Sequence, residues 1–130
     1  MEVIKKREKI REKVMAEARE WAGKLPLKVT AILVGSYARG DFNLWSDIDI
    51  ILISDGFKGN PIQRLKELDM LPAYQVIPLT PEEFKALLKK RDPLAIEAVR
   101  VGVILREDVK IADLLVPFKS SPNNRALTRE

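Results

Sequence analysis

Val29-Thr30-Ala31-Ile32-Leu33-Val34-Gly35-Ser36 and, ten residues on, Asp47-Ile48-Asp49-Ile50-Ile51-Leu52-Ile53-Ser54 decide how this chain is read. The first run is β-branched and continuously apolar through Val34, the pattern of a strand buried on both faces. Gly35 stops it, and residues 36–45 predict a turn and a short helix. The second run predicts another strand, with aspartate at its first and third positions. Aspartate is depleted in strands. At i and i+2 the two carboxylates emerge on one face, while Ile48, Ile50 and Leu52 point to the other.

Outward from this centre, strands alternate with helices. Residues 2–22 carry Val3, Ile10, Val14, Ala18 and Trp21 on one stripe, so a helix is expected there, with Gly23 placed to end it and its apolar side packed on the sheet or on a second copy. The seven basic residues before Trp21 are interspersed with five Glu, which reads as a solvated face rather than a nucleic-acid patch. Asn60-Pro61 opens a helix expected to reach about Asp69. Ala73–Leu79 is a strand whose Pro78 favours an edge position or the strand's end. Thr80-Pro81-Glu82-Glu83 begins a helix to about Lys90, with both Glu as helix-start residues. Lys85, Lys89, Lys90 and Arg91 suit its C-terminal end. Asp92-Pro93 opens another helix, closed by Gly102; Val103–Arg106 is a short strand; Asp108 is expected to start a last helical turn. The fold class is therefore α/β (α+β in some schemes), one small mixed β-sheet covered by helices. The domain is expected over residues 1–116, with 117–130 a loose C-terminal tail.

Composition narrows the chemistry. The chain has 130 residues, 46% of them hydrophobic, which supports one cored domain. With no cysteine and no histidine, thiol nucleophiles, zinc knuckles, Ser-His-Asp triads and imidazole bases are excluded. Acid–base or metal chemistry has to run on carboxylates, Lys, Tyr or water. A net charge of +4 permits a polyanionic partner without demanding one. No apolar run reaches a membrane span and the N-terminus lacks an apolar signal core, so a cytoplasmic, soluble protein without membrane partners is expected.

The site reading follows from two halves. At a strand–Gly–Ser turn the backbone can approach a ligand closely, and the Ser36 hydroxyl and adjacent N–H groups can hold a phosphate oxygen. Alone, such a turn is more often structural. Asp47 and Asp49 on one face repel each other, a cost that a divalent cation turns into a gain; oxygen-only ligands suit Mg²⁺ or Mn²⁺ with substrate phosphates completing the shell. A phosphate cradle beside a metal site is the equipment of phosphoryl or nucleotidyl transfer. Arg39 reads equally as a phosphate contact or as a salt-bridge partner of Asp41. Tyr37 and Trp45 read as core or rim aromatics, with stacking on a base as the alternative.

GSYARGDFNLWSDIDIILI, residues 35–53, resembles the signature of the DNA polymerase beta-like nucleotidyltransferase superfamily, in its minimal (MNT-type) branch. Gly35, Ser36, Ala38, Arg39, Gly40, Ser46, Asp47 and Asp49 fall where that family has them, and VIPLTPEEFKALLKKRDPLAIEAVRVGVILRED extends the likeness to about residues 5–110. The resemblance implies a nucleotidyltransferase fold, contact of Gly35 and Ser36 with an NTP triphosphate, and divalent ions on the catalytic Asp47 and Asp49. It implies transfer of NMP from NTP, ATP first, to an acceptor hydroxyl. The family's third carboxylate falls on Gln75, which cannot take a proton usefully; Asp69, Glu82 and Glu83 do not replace it convincingly. Two readings follow. One is an active metal-dependent nucleotidyltransferase whose acceptor hydroxyl is left open, a partner protein being one carrier. The other is a weakly transferring NTP- or partner-binding module, such as the antitoxin of a HEPN-type helical toxin. Self-association as a homodimer is left open, and nucleic acid is not favoured.

Overall fold

A computed structural model describes residues 2–43 and 45–115 of the chain. Four strands form one mixed sheet in the order β3-β2-β1-β4, with β1 Thr30–Val34, β2 Ile48–Ile53, β3 Tyr74–Leu79 and β4 Val103–Glu107. β1 runs antiparallel to β2 and β4, while β2 and β3 are parallel. The mixed α/β architecture expected from the sequence is the one observed. β3 is an edge strand, where Pro78 is tolerated because its missing N–H faces no neighbour on the outer side. The expected tail over 117–130 lies outside the described residues.

The strand pleat sorts the core into two layers. Ala31, Leu33, Ile50 and Leu52 face one cluster, closed by Ala18, Trp21 and Ala22 of α1 (Glu2–Gly23) and by Tyr37, Ala38 and Phe42. Ile32, Val34, Ile51 and Ile53 face the other. That side is closed by Phe84 and Leu88 of α4 (Pro81–Lys89), Ala95 and Ala98 of α5 (Pro93–Val101) and Leu114 of α6 (Ile111–Leu114). The remaining helices are α2 (Gly35–Arg39) and α3 (Pro61–Leu65).

Several expectations change in detail. The α1 stripe is buried only toward its C-terminus: Ala18 is fully covered, Val14 half-buried, and Ile10 is 40% exposed, while the Val3 side chain lies outside the described residues. A 22-residue helix is about 33 Å long, whereas four strands span under about 20 Å, so one end overhangs the sheet. The α1 charges are not all solvated either. Arg11 donates to the Tyr37 and Ala38 carbonyls at 2.7 and 2.9 Å, and Arg7 donates to the Phe42 carbonyl. They tether the end of α2, whose last carbonyls have no helical partner. α3 stops at Leu65, well short of Asp69: it buries no residue and Ile62 is 80% exposed, so no packing extends it. Asp108 does not start α6. Its carboxylate accepts the Val29 amide at 3.0 Å and pairs with Arg106 at 2.8 Å, and both hold it below the usual carboxylate range. The helix-start reading of Glu82 and Glu83 holds: Thr80 and Glu83 make a reciprocal capping box.

Candidate active site

Alternation along β2 puts Asp49 on the face that carries Ile51 and Ile53, the α4–α6 side, and Asp47 precedes it by two residues on the same side. In the antiparallel pairing Val34 stands opposite Asp49, so the chain leaves β1 at Gly35 directly beside that carboxylate. Gly35 has φ +78°, and a Cβ there would run into the Asp49 carboxylate, whose Cγ is 3.1 Å away. Glycine is required twice over, by conformation and by space. Asp47 is exposed and Asp49 half-buried; among the described residues neither carboxylate accepts a hydrogen bond or forms an ion pair. Partial burial pushes the Asp49 carboxyl up, and the neighbouring charges of Asp47 and Glu97 push the same way, against Arg39.

On the other side of β2 the parallel register pairs Asp49 with Gln75. Gln75 shares its face with Ile77 and Leu79, hence with Asp49, and is exposed. The position aligned from the sequence as the third-carboxylate slot therefore stands next to Asp49 and holds an amide. Among the described residues no group of three acidic side chains is arranged to hold a metal ion. Two unpartnered carboxylate donors, one of them raised by burial and like charge, do fit a cation whose remaining ligands arrive with a phosphate.

The structure adds Glu97, which sequence reading did not single out. Its two oxygens reach Gly35 and Arg39: one accepts the Gly35 amide, the other the Arg39 guanidinium at 2.9 Å. Arg39 also pairs with Asp41 at 3.2 Å, the partner anticipated for it. Glu97 sits between the buried Ala95 and Ala98 of α5, a pattern that in sequence looks like any helix-flank charge. Only the long-range contact reveals it. Ser36 is half-buried at the first turn of α2.

Other candidates fall away from this place. Tyr37 is buried and stacked on Phe42 with ring centroids 4.3 Å apart, so it belongs to the core. Trp45, by contrast, is 90% exposed on a turn fastened by Asn43 and Ser46, two residues before Asp47. Asp69 lies across the molecule, its carbonyl accepting the Trp21 indole N–H at 2.7 Å. Glu83 is engaged by Arg64.

With this geometry in view, comparison with known proteins is informative. A family model described as the nucleotidyltransferase domain matches residues 8–122. The chain belongs to the nucleotidyltransferase domain family. Among curated proteins none matches it. One solved structure is similar, titled "Crystal structure of a putative nucleotidyltransferase from Sulfolobus solfataricus": 21% identity over 80% of this chain and 86% of that one, with a TM-score of 0.48. The nucleotidyltransferase domain here thus carries the turn and the paired aspartates side by side. Nucleotidyltransferase domains generally use divalent metals. No helix among the described residues is long and apolar enough to cross a membrane.

Proposed function

We propose that the protein is a metal-dependent nucleotidyltransferase that moves NMP from an NTP, ATP first, to an acceptor hydroxyl. The observation that carries this reading is the Gly35 turn set against Asp49, with Asp47 on the same side and, among the described residues, no hydrogen bond or ion pair on either carboxylate. Asp47 and Asp49 would hold Mg²⁺ or Mn²⁺. When bound, the ion neutralises triphosphate charge and lowers the barrier to in-line displacement. The chain's own part is to bind and orient. Gly35 allows the backbone to come close to a phosphate, the Ser36 hydroxyl offers a donor, and Arg39 supplies positive charge at the same turn. In the reaction the acceptor hydroxyl attacks the α-phosphorus and gives its proton to solvent water, the bond to the bridging oxygen breaks, and pyrophosphate leaves with that bond's electron pair.

Gln75 favours a second reading of the same site. An amide beside Asp49 cannot accept the acceptor's proton, and loss of a general base typically costs about 10²–10⁴ in rate. Slow transfer with retained nucleotide binding is then expected, as in an antitoxin or other binding module acting on a HEPN-type helical partner in the cytoplasm. The acceptor hydroxyl would sit on that partner.

Titration calorimetry with ATP and Mg²⁺, beside a radiolabelled transfer assay with host lysate, tests both. Binding with transfer supports the enzyme; binding without it supports the module. No binding by the wild-type protein overturns both.

A further inference from the structure

We propose that Glu97 is a positioning residue for the nucleotide, fixing the Gly35 turn and the Arg39 guanidinium in one arrangement before the triphosphate arrives. The proposal rests on the nucleotidyltransferase reading of the site. Glu97 joins the turn, α2 and α5 through contacts 62 and 58 residues apart in sequence. Its own helix is seated firmly. The small, buried Ala95 and Ala98 let α5 lie close to β1, and at the helix end a Cβ on Gly102 would come within 2.6 Å of Ile32. The Glu97 side chain is 19% exposed against 44% for Arg39, so the carboxylate is the sheltered end that holds the exposed one.

The chemistry of the bridge specifies a carboxylate. Gly35 N–H and Arg39 are both donors. An ionised carboxylate offers an acceptor to each, whereas glutamine would turn its NH₂ group toward one of them, donor against donor. Aspartate is a methylene shorter. A negative charge here is also costly beside Asp47 and Asp49, which makes it a poor choice for a merely mechanical fastening and a good one for a site that is completed by cations. Arg39 contributes one cation on the protein side. Held by Glu97 and Asp41 together, the guanidinium is kept at the turn rather than sampling solvent, and less ordering is left for the nucleotide to impose.

The test uses the full chain with ATP–Mg²⁺ as the probe. Calorimetry should show Glu97→Gln binding about tenfold more weakly than wild type, Arg39→Gln about as weakly, and the double variant little worse than either. In the apo protein the Gly35 amide resonance should move on Glu97→Gln. A bridge that only supports the fold would lower the melting temperature and leave the folded variant's affinity at the wild-type value. That result, additive losses in the double variant, or binding as tight as or tighter than wild type would each overturn the proposal. Should Glu97→Gln fail to fold, Arg39→Gln carries the test alone, and unchanged affinity there overturns it. A wild-type protein that binds no ATP–Mg²⁺ overturns the nucleotidyltransferase reading itself, and this inference with it.

Discussion

Arg64 and Glu83 meet in a two-bond fork, at 2.6 and 3.0 Å, between α3 and the first turn of α4. Arg39 and Glu97 meet through one bond of 2.9 Å between α2 and α5. The residue types are the same and the surroundings differ. At the first bridge the acceptors serve the scaffold: Glu83 also takes the Thr80 amide at 3.0 Å, and Arg64 also donates to the Pro78 carbonyl at 3.0 Å. The Glu83 carboxyl is accordingly held down at about 2, chiefly by Arg64. At the second bridge the carboxylate ties a glycine turn to a cation beside two aspartates that, among the described residues, accept no hydrogen bond and form no ion pair. In the first region both carboxylate oxygens of Glu83 are taken up from within and only the buried Arg64 Nε is left without a partner among the described residues. The other is left with charge that only a ligand can answer, which is how a binding site differs from a well-made joint.

The sharpest way to break the second region is Gly35→Ala. The φ of +78° and the Asp49 carboxylate both oppose a Cβ. A loss of roughly 2–4 kcal/mol is expected by denaturant unfolding, together with loss of ATP–Mg²⁺ binding. Gly23→Ala is the control. Nothing lies within 4 Å of its added Cβ, and alanine at a helix end should be neutral or stabilise by up to about 1 kcal/mol. If the two variants unfold alike, the close packing of the turn on Asp49 is not what holds it.

Gln75→Asp and Gln75→Glu would sharpen the contrast by adding the missing acid. Transfer should rise by up to about 10²-fold, with tighter Mn²⁺ binding by calorimetry. Apo stability should fall slightly, since the new charge stands beside Asp49 in the strand register. Vigorous wild-type transfer indifferent to Gln75 would place the base elsewhere.

Asp49→Asn separates stability from function. An acid whose carboxyl is raised in the folded state favours its protonated form there, so its charge destabilises the fold at neutral pH. The apo variant should therefore melt no lower than wild type and slightly higher. Yet it should lose the ligand effect: wild type gains about 2.7 kcal/mol at ATP–Mg²⁺ one hundred times above Kd, and the variant well under 1. Equal stabilisation of both by ATP–Mg²⁺ would remove Asp49 from the metal site.

These residues also show what the sequence could and could not reveal. The two strands and the shared face of Asp47 and Asp49 are local facts of period two, and they survive because hydrophobic runs and pleat dictate them. Gln75 was singled out only through the likeness of the VIPLT stretch to the family; that it stands beside Asp49 is read from the parallel register. Glu97 and the tethers from Arg7 and Arg11 were not legible. Each joins residues 26 or more positions apart, and nothing in their own helices distinguishes them from solvated charges. The short reach of α3 was missed for a related reason: its capping box is written locally, but its length depends on tertiary cover that it lacks.

The smallest effect belongs to the first bridge, and its sign is opposite to that of Asp49. Glu83 has an ordinary carboxyl value of 4.5 when unfolded and about 2 when folded. Its contribution is fully present above about pH 4.5, and it is lost as the pH falls from there toward 2, because the unfolded chain takes up the proton first. Glu83→Gln removes that dependence. The variant should melt a few degrees below wild type at pH 7, since the Arg64 fork and half of the capping box weaken together. The gap should narrow as the pH falls below about 4.5, be clearly smaller by pH 2.5, and close only below about pH 2. The Glu83 side chain is 46% exposed, so high salt should screen part of the difference at pH 7. A gap that stays constant from pH 7 to pH 2.5 would mean that packing around Arg64, rather than the charge on Glu83, holds α3 against α4. The contrast between a satisfied bridge and a waiting one would then rest on Glu97 alone.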